Sequence, residues 1–246
     1  MRHNLRAILQ LTFLAALVLV LVRPFARTRL AGGQTVAFVL NPPAGRAIPT
    51  AVIPLPKEDL RVEVTDGVAR LWQGGRLAWQ SEPDWDVRQA FLADLINDGR
   101  PELVLALWKP FTPLPIDRYY PGQPGLLDDH QNANGLSSHL FLYGWQREAW
   151  RARWCGSALA RPIVEMAAGD VDGDGQNELV VLEGTYTASQ HAPARRVTVW
   201  RWNGWGFSQQ WYSDPARYRA LALRDVDDDG VADVVVYKML EELDKK

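Results

Sequence analysis

A chain of 246 residues that is 47% hydrophobic and carries eleven Trp has ample apolar mass for a packed core, which excludes an intrinsically disordered protein. Its 27 Lys and Arg nearly balance 29 Asp and Glu, so no global field points to nucleic acid or to an acidic substrate. The single cysteine, Cys155, excludes an intrachain disulfide. It reads as a small core residue at a strand end, because His130, His139 and His191 stand at no recognisable catalytic spacing from it.

Arg2 and Arg6 precede an apolar run from Ala7 to Val22, relieved only by Gln10 and Thr12 and followed by Arg23, Arg27 and Arg29. As a helix, residues 7–22 would span roughly 24 Å, a shallow crossing that flanking arginines can complete by snorkelling. Residues 1–30 are therefore expected to form a transmembrane or signal helix with basic flanks. Anchor is favoured over cleaved signal, since Arg23-Pro-Phe-Ala-Arg-Thr-Arg29 follows where small residues would be needed. Residues 31–59 hold one apolar strand candidate, Thr35 to Leu40, and then five prolines from Pro42 to Pro56, the composition of a linker.

From Leu60 a period emerges, with paired Trp-bearing strands joined by short turns. The first pair is Ala69 to Trp72 and Arg76 to Trp79 around Gly74-Gly75, and the third is Val197 to Trp202 and Phe207 to Trp211 after Asn203-Gly204. Both dipeptides accept positive φ, as tight hairpins require. A middle pair, His139 to Trp145 and Ala149 to Trp154, places Gln146-Arg147 at its turn. After each pair comes a third strand, Val87 to Ala93, Ile163 to Gly169 and Tyr218 to Arg224, which ends at an acidic loop. A fourth, continuously apolar strand leaves each loop, the pattern of a strand covered on both faces. Four strands per unit are expected.

The loops carry the chemistry. In Asp170-Val-Asp-Gly-Asp-Gly-Gln-Asn-Glu178 the carboxylates Asp170, Asp172 and Asp174 alternate, Gly175 permits a sharp reversal, and Glu178 returns a further oxygen at the ninth position. Hard cations are bound by such oxygen donors. The pattern recurs at Asp225, Asp227, Asp229 and Asp233, and in degraded form at Asp94, Asp98 and Glu102, with Ile96 where a second carboxylate would stand. An EF-hand would need a Glu at the twelfth position, but Leu105, Val181 and Val236 occupy it.

These loops, each feeding a strand, resemble the FG-GAP or VCBS repeat, the calcium-loop blade of integrin-α-type β-propellers, over residues 60–240. The resemblance implies an all-β, propeller-like array of about three four-stranded blades at residues 60–109, 138–187 and 195–238. Residues 35–66 would supply either a worn fourth blade or a strand latching onto the last one; otherwise the array is open or completes itself between chains. It also implies Ca2+, held by Asp170, Asp172, Asp174, Glu178 and the Gln176 carbonyl, and by Asp225, Asp227, Asp229, Asp233 and the Val231 carbonyl. The degraded loop offers Asp94, Asp98, Glu102 and the Arg100 carbonyl.

An insertion at residues 110–135 separates the first two loops by more than the last two. It contains five prolines, Tyr119-Tyr120 and Asp128-Asp129-His130. The tryptophans are expected in the core, with Trp205 the candidate for the surface, and residues 241–246 form a charged tail.

No catalytic or nucleotide-binding motif appears. The expectation is a non-catalytic, calcium-binding module that recognises a protein or glycan outside the cytoplasm, either single-pass in the cell membrane through residues 7–22 or secreted. An enzyme whose site is built on the insertion, or an architectural part of a surface assembly, stands as the alternative.

Overall fold

The computed structural model describes residues 28–29, 35–38, 59–112, 129–187 and 192–239. The expected helix over residues 7–22, nearly all of the Pro-rich stretch, the body of the insertion, His191 and the tail lie outside them. Among the described residues no helix is long and apolar enough to cross a membrane. Every regular element among the described residues is a strand.

The chain enters as β1 (Thr28–Arg29) and β2 (Thr35–Phe38), then runs through β3 (Leu60–Thr65), β4 (Val68–Gln73) and β5 (Arg76–Gln80), which form a three-stranded sheet. The second sheet is β6 (Asp86–Ala93), β7 (Glu102–Pro110), β8 (Leu136–Gln146) and β9 (Ala149–Cys155). The third repeats that plan with β10 (Ile163–Gly169), β11 (Glu178–Glu183), β12 (Arg196–Trp202) and β13 (Phe207–Tyr212). The fourth begins with β14 (Arg217–Arg224) and β15 (Asp233–Met239) and is completed from the other end of the chain, in the order β14-β15-β2-β1. The first three sheets are antiparallel throughout, whereas β2 lies parallel to β15, with Val36 opposite Val234.

The repeat is real, but its phase differs from the expected one. The second and third Trp-bearing pairs belong to the sheet of the acidic loop before them rather than the loop after them, so that β8 and β9 extend β7, while the first pair joins β3 in a sheet without an acidic loop. A central strand such as β7 needs hydrogen-bond partners on both edges, and β6 and β8 supply them. A period read from sequence fixes the spacing of the units and leaves their starting point open.

Alternation explains why β7 and β11 are continuously apolar. Leu103, Leu105 and Leu107 face the first sheet and pack with Ala69 and Leu71, while Val104 and Ala106 face the third and meet Met166, Ala168 and Val181. In β11, Leu179 and Val181 turn to the second sheet, and Val180 and Leu182 to the fourth, against Tyr218, Leu221 and Val234. Three apolar layers therefore hold four sheets in series. Each fully buried Leu or Val contributes about 1.5–3 kcal/mol to that stacking.

Polar links reinforce it at matching positions. Gln89, five residues before the first loop, accepts from Met166 N at 2.9 Å and donates to Met166 O at 2.7 Å. Glu165, five before the second loop, accepts from Leu221 N at 3.1 Å. Each joins the first strand of one sheet to that of the next.

Several local readings change. A hairpin at Asp66-Gly67, both in left-handed backbone, joins β3 to β4 and was not anticipated. The middle turn falls on Arg147-Glu148 (φ 47° and 63°), because Gln146 pairs with Ala149. Asn203 opens a longer turn, since Trp202 pairs with Phe207 and Asn203 N donates to Gly206 O. Cys155 ends β9 exposed rather than in the core. Trp108 and Trp150 are buried, Trp145 is exposed, and Trp205 is 80% exposed.

Candidate metal centre

Each acidic loop joins the first strand of its sheet to the second: β6 to β7, β10 to β11, β14 to β15. All three use one hydrogen-bonding scheme. The first-position carboxylate accepts backbone N–H groups from inside the loop: Asp94 from Asp98 and Gly99, Asp170 from Gly173 and Gly175, Asp225 from Asp229 and Gly230, at 2.7–3.1 Å. The fifth-position carboxylate accepts from the seventh residue, Asp98 from Arg100, Asp174 from Gln176 and Asp229 from Val231. The ninth accepts from the second, Glu102 from Leu95, Glu178 from Val171 and Asp233 from Val226, at 3.0–3.1 Å.

Backbone shape follows the same rule. The fourth and sixth residues are left-handed in every loop: Asn97 and Gly99, Gly173 and Gly175, Asp228 and Gly230. Asn, Asp and Gly are the residues that tolerate this region. The chain thus folds back on itself over six residues and aims its carboxylates inward.

Three groups of carboxylates result, each with ligand atoms within 4.8 Å of one another: Asp94, Asp98 and Glu102; Asp170, Asp172 and Glu178; Asp225, Asp227 and Asp229. Any of them could hold a metal ion. Asp174 and Asp233 fall outside these triads; Asp174 is paired with Arg201, and Asp233 is buried at the start of β15. Of Gln176, Val231 and Arg100, placed at the seventh positions, the backbone N–H groups bond the fifth-position carboxylates.

Burial makes these carboxylates costly as bare charges. Glu102 and Glu178 have no exposed side-chain surface, and burial pushes the carboxyl of each up to about 7. Leu95 and Ile96 N–H groups pull Glu102 down, while Asp94 and Asp98 push it further up. Its Oε2 takes both N–H bonds, and its buried Oε1 has no hydrogen-bond partner, lying 4.0 Å from Arg153 Nη1. An oxygen left in that state beside two further carboxylates suits a hard cation. The donor chemistry of the first loop therefore fits calcium even though Ile96 replaces the third-position carboxylate.

The second loop is balanced differently. Arg201 of β12 reaches into it, bonding Glu178 Oε1 through Nε at 2.9 Å and Nη2 at 2.6 Å, Asp174 through Nη1 at 3.0 Å, and Asp172 through Nη2. Nothing in the spacing of the loop sequence points to this residue, 23 positions beyond Glu178.

The loops also touch one another. Asn97 Oδ1 accepts from Asn177 N at 2.7 Å, and Asn177 Nδ2 donates to Asp94 O at 2.9 Å. Ala232 N donates to Asp170 O at 3.2 Å, joining the third loop to the second. Asn97 and Asn177 had no assigned role in the sequence. Their signal is visible only in retrospect, as polar residues beside each bend. Of the insertion, residues 110–112 and 129–135 are described; His130 Nδ1 lies 3.3 Å from Ala158 O.

A series of small, mainly antiparallel sheets, three of which carry an acidic loop at the same connection, defines a β-repeat protein. Within it, residues 170–236, from the first Asp of the second loop into β15, match the family model described as an FG-GAP-like repeat. The matched stretch takes in the second and third of the acidic loops. A search of curated proteins gives no match.

Proposed function

We propose that this protein is a non-catalytic, calcium-binding, propeller-like module, tethered to the membrane or exported, that engages a protein or glycan outside the cytoplasm. The observation that carries the calcium reading is the threefold recurrence of one loop scheme at one connection, each time converging carboxylates on a common focus. Asp94, Asp98 and Glu102, Asp170, Asp172, Asp174 and Glu178, and Asp225, Asp227, Asp229 and Asp233 would hold the ions. The seventh-position carbonyls of Arg100, Gln176 and Val231 would add neutral donors. Bound calcium would neutralise carboxylates at the ends of neighbouring strands and so fasten the first hairpin of the second, third and fourth sheets.

Successive stacking of the four sheets through their apolar faces supports the propeller-like arrangement. The partner role is an analogy at the level of fold, supported by the exposure of Trp205 and Trp145 near hairpin turns, where an aromatic surface meets solvent. Extracellular calcium, near millimolar, would suit loops with the affinity usual for extracellular calcium modules, roughly 0.1–1 mM.

The test is thermal melting of the purified full-length chain after chelation, repeated across a calcium titration. With ion at 1 mM and a dissociation constant near 0.1 mM, each site adds about 1.4 kcal/mol, so melting temperature rises with calcium and far less with magnesium. No upward shift with calcium would remove the ion from this reading.

A further inference from the structure

We infer that Arg201 is the resident cation of the second acidic loop, and that a divalent ion can enter that loop only by displacing its guanidinium from Asp172, Asp174 and Glu178. This rests on the calcium reading above and concerns how the chain itself regulates one of the sites.

The oxygens of the loop are already apportioned. Asp170 accepts the N–H groups of Gly173 and Gly175, and Glu178 Oε2 accepts from Val171 N. Asp172 Oδ2, Asp174 Oδ2 and Glu178 Oε1 all pair with the guanidinium, so an ion seated on Asp170, Asp172 and Glu178 would meet the Arg201 cation at two of its three carboxylates. A planar fork with several N–H donors matches such a set of carboxylate oxygens as a lysine ammonium would not. Arg201 is half-buried rather than sealed in, with about a quarter of its side chain exposed, so it has a path outward.

The first loop reaches the same state by another route, which argues that the placement is not incidental. Arg201 follows Trp200, the partner of Leu179, along the third strand of its sheet. The matching residue of the second sheet follows Tyr143, the partner of Leu103, and is Gly144. A side chain there is impossible as packed, because a Cβ would lie 2.8 Å from Arg153 Cγ. The bare Gly144 lets Arg153 cross from the fourth strand, so that its Nη2 bonds Asp98 Oδ2 at 2.9 Å and its Nη1 stands 4.0 Å from Glu102 Oε1. Both guanidinium groups meet the fifth- and ninth-position carboxylates. They differ in completeness: Arg201 closes three carboxylates, whereas Arg153 leaves Glu102 Oε1 without a hydrogen bond.

Wild type, Arg201→Gln, Arg201→Lys and the double variant Arg201→Gln with Asp172→Asn, all full length, are stripped with chelator and titrated with calcium by calorimetry. Melting in metal-free buffer is followed alongside. Arg201→Gln is expected to bind calcium at one site about tenfold more tightly than wild type, since the ion no longer competes with charge-assisted bonds. The double variant loses that gain, and the metal-free Arg201→Gln chain melts lower and recovers when calcium is added. Arg201→Lys, which retains the charge without the fork, falls between and keeps the comparison open if the Gln variant does not fold. Identical isotherms for wild type and both Arg201 variants, in a protein that does bind calcium, would overturn this inference and leave the calcium reading standing. Calcium uptake by none of the four would overturn the calcium reading itself, and the competition with it.

Discussion

Asn97 is where two loops and a strained backbone meet, so its replacement separates two kinds of stabilisation. Its φ of 57° lies in the left-handed region, its Oδ1 takes the Asn177 N–H at 2.7 Å, and its Nδ2 donates to Leu95 O and Asn177 O at 3.3 and 3.4 Å. Asn97→Ala loses the bonds and also forces a Cβ without a compensating side-chain contact into left-handed backbone, which costs about 1 kcal/mol. Leaving the half-buried Asn177 N–H without its acceptor costs a further ~1–3 kcal/mol. Asn97→Gly loses the same bonds and spares the backbone strain. The expected order of stability in chelator is therefore wild type, then Asn97→Gly, then Asn97→Ala, with the Ala variant about 2–4 kcal/mol below wild type. Urea unfolding followed by tryptophan fluorescence measures it. An Ala variant as stable as wild type, or no more damaged than the Gly variant, would refute the account of this bend.

Glu102→Gln keeps an acceptor for Leu95 and Ile96 and removes a fully buried charge, so in chelator at pH 8 it should gain about 1–3 kcal/mol over wild type. The advantage should shrink in calcium, and its persistence there would count against an ion in the first loop. Glu165 gives a pH dependence away from the loops. Burial raises its carboxyl above the ordinary 4.5, so the folded chain holds a proton that the unfolded chain has released. Its contribution to stability is complete below the unfolded value and is lost as pH rises through the raised folded value. Glu165→Gln, which can still accept from Leu221 N, should flatten that decline, and an unchanged slope in denaturant titrations at several pH values would show that another group sets it.

Much of this molecule is legible from its residues. The loops announce themselves because alternating carboxylates and a glycine have few other uses in one tight bend, and continuous apolar runs such as Leu103 to Leu107 declare a strand covered twice. Which strands share a sheet was not legible, since Trp79 and Trp154 stand at similar distances before the next loop, and regular spacing carries no mark of where a unit begins. The Asp66-Gly67 turn has a readable chemistry, but it follows β3, a strand that lacks the tryptophan of the Trp-bearing pairs. Arg201, Arg153 and Gln89 were beyond reach for a different reason. Long polar side chains act across strands and sheets, and their partners are chosen by register, which the order of residues along one strand does not express.

The fourth sheet has a consequence for how the molecule is made. Its inner hairpin, β14 and β15, follows every other described strand in the sequence, whereas the strand that lies beside it, β2, precedes all of them but β1. Nearly the whole polypeptide must be looped out before Val36 can meet Val234, an entropic charge on assembly that early sheets escape. The first three sheets can therefore mature while the opening segment waits for its mate. A chain truncated after β13 would keep its interior layers between the first three sheets yet leave β2 without the strand it pairs with, so that an incomplete molecule would carry an unsatisfied strand edge far from the point of truncation in sequence.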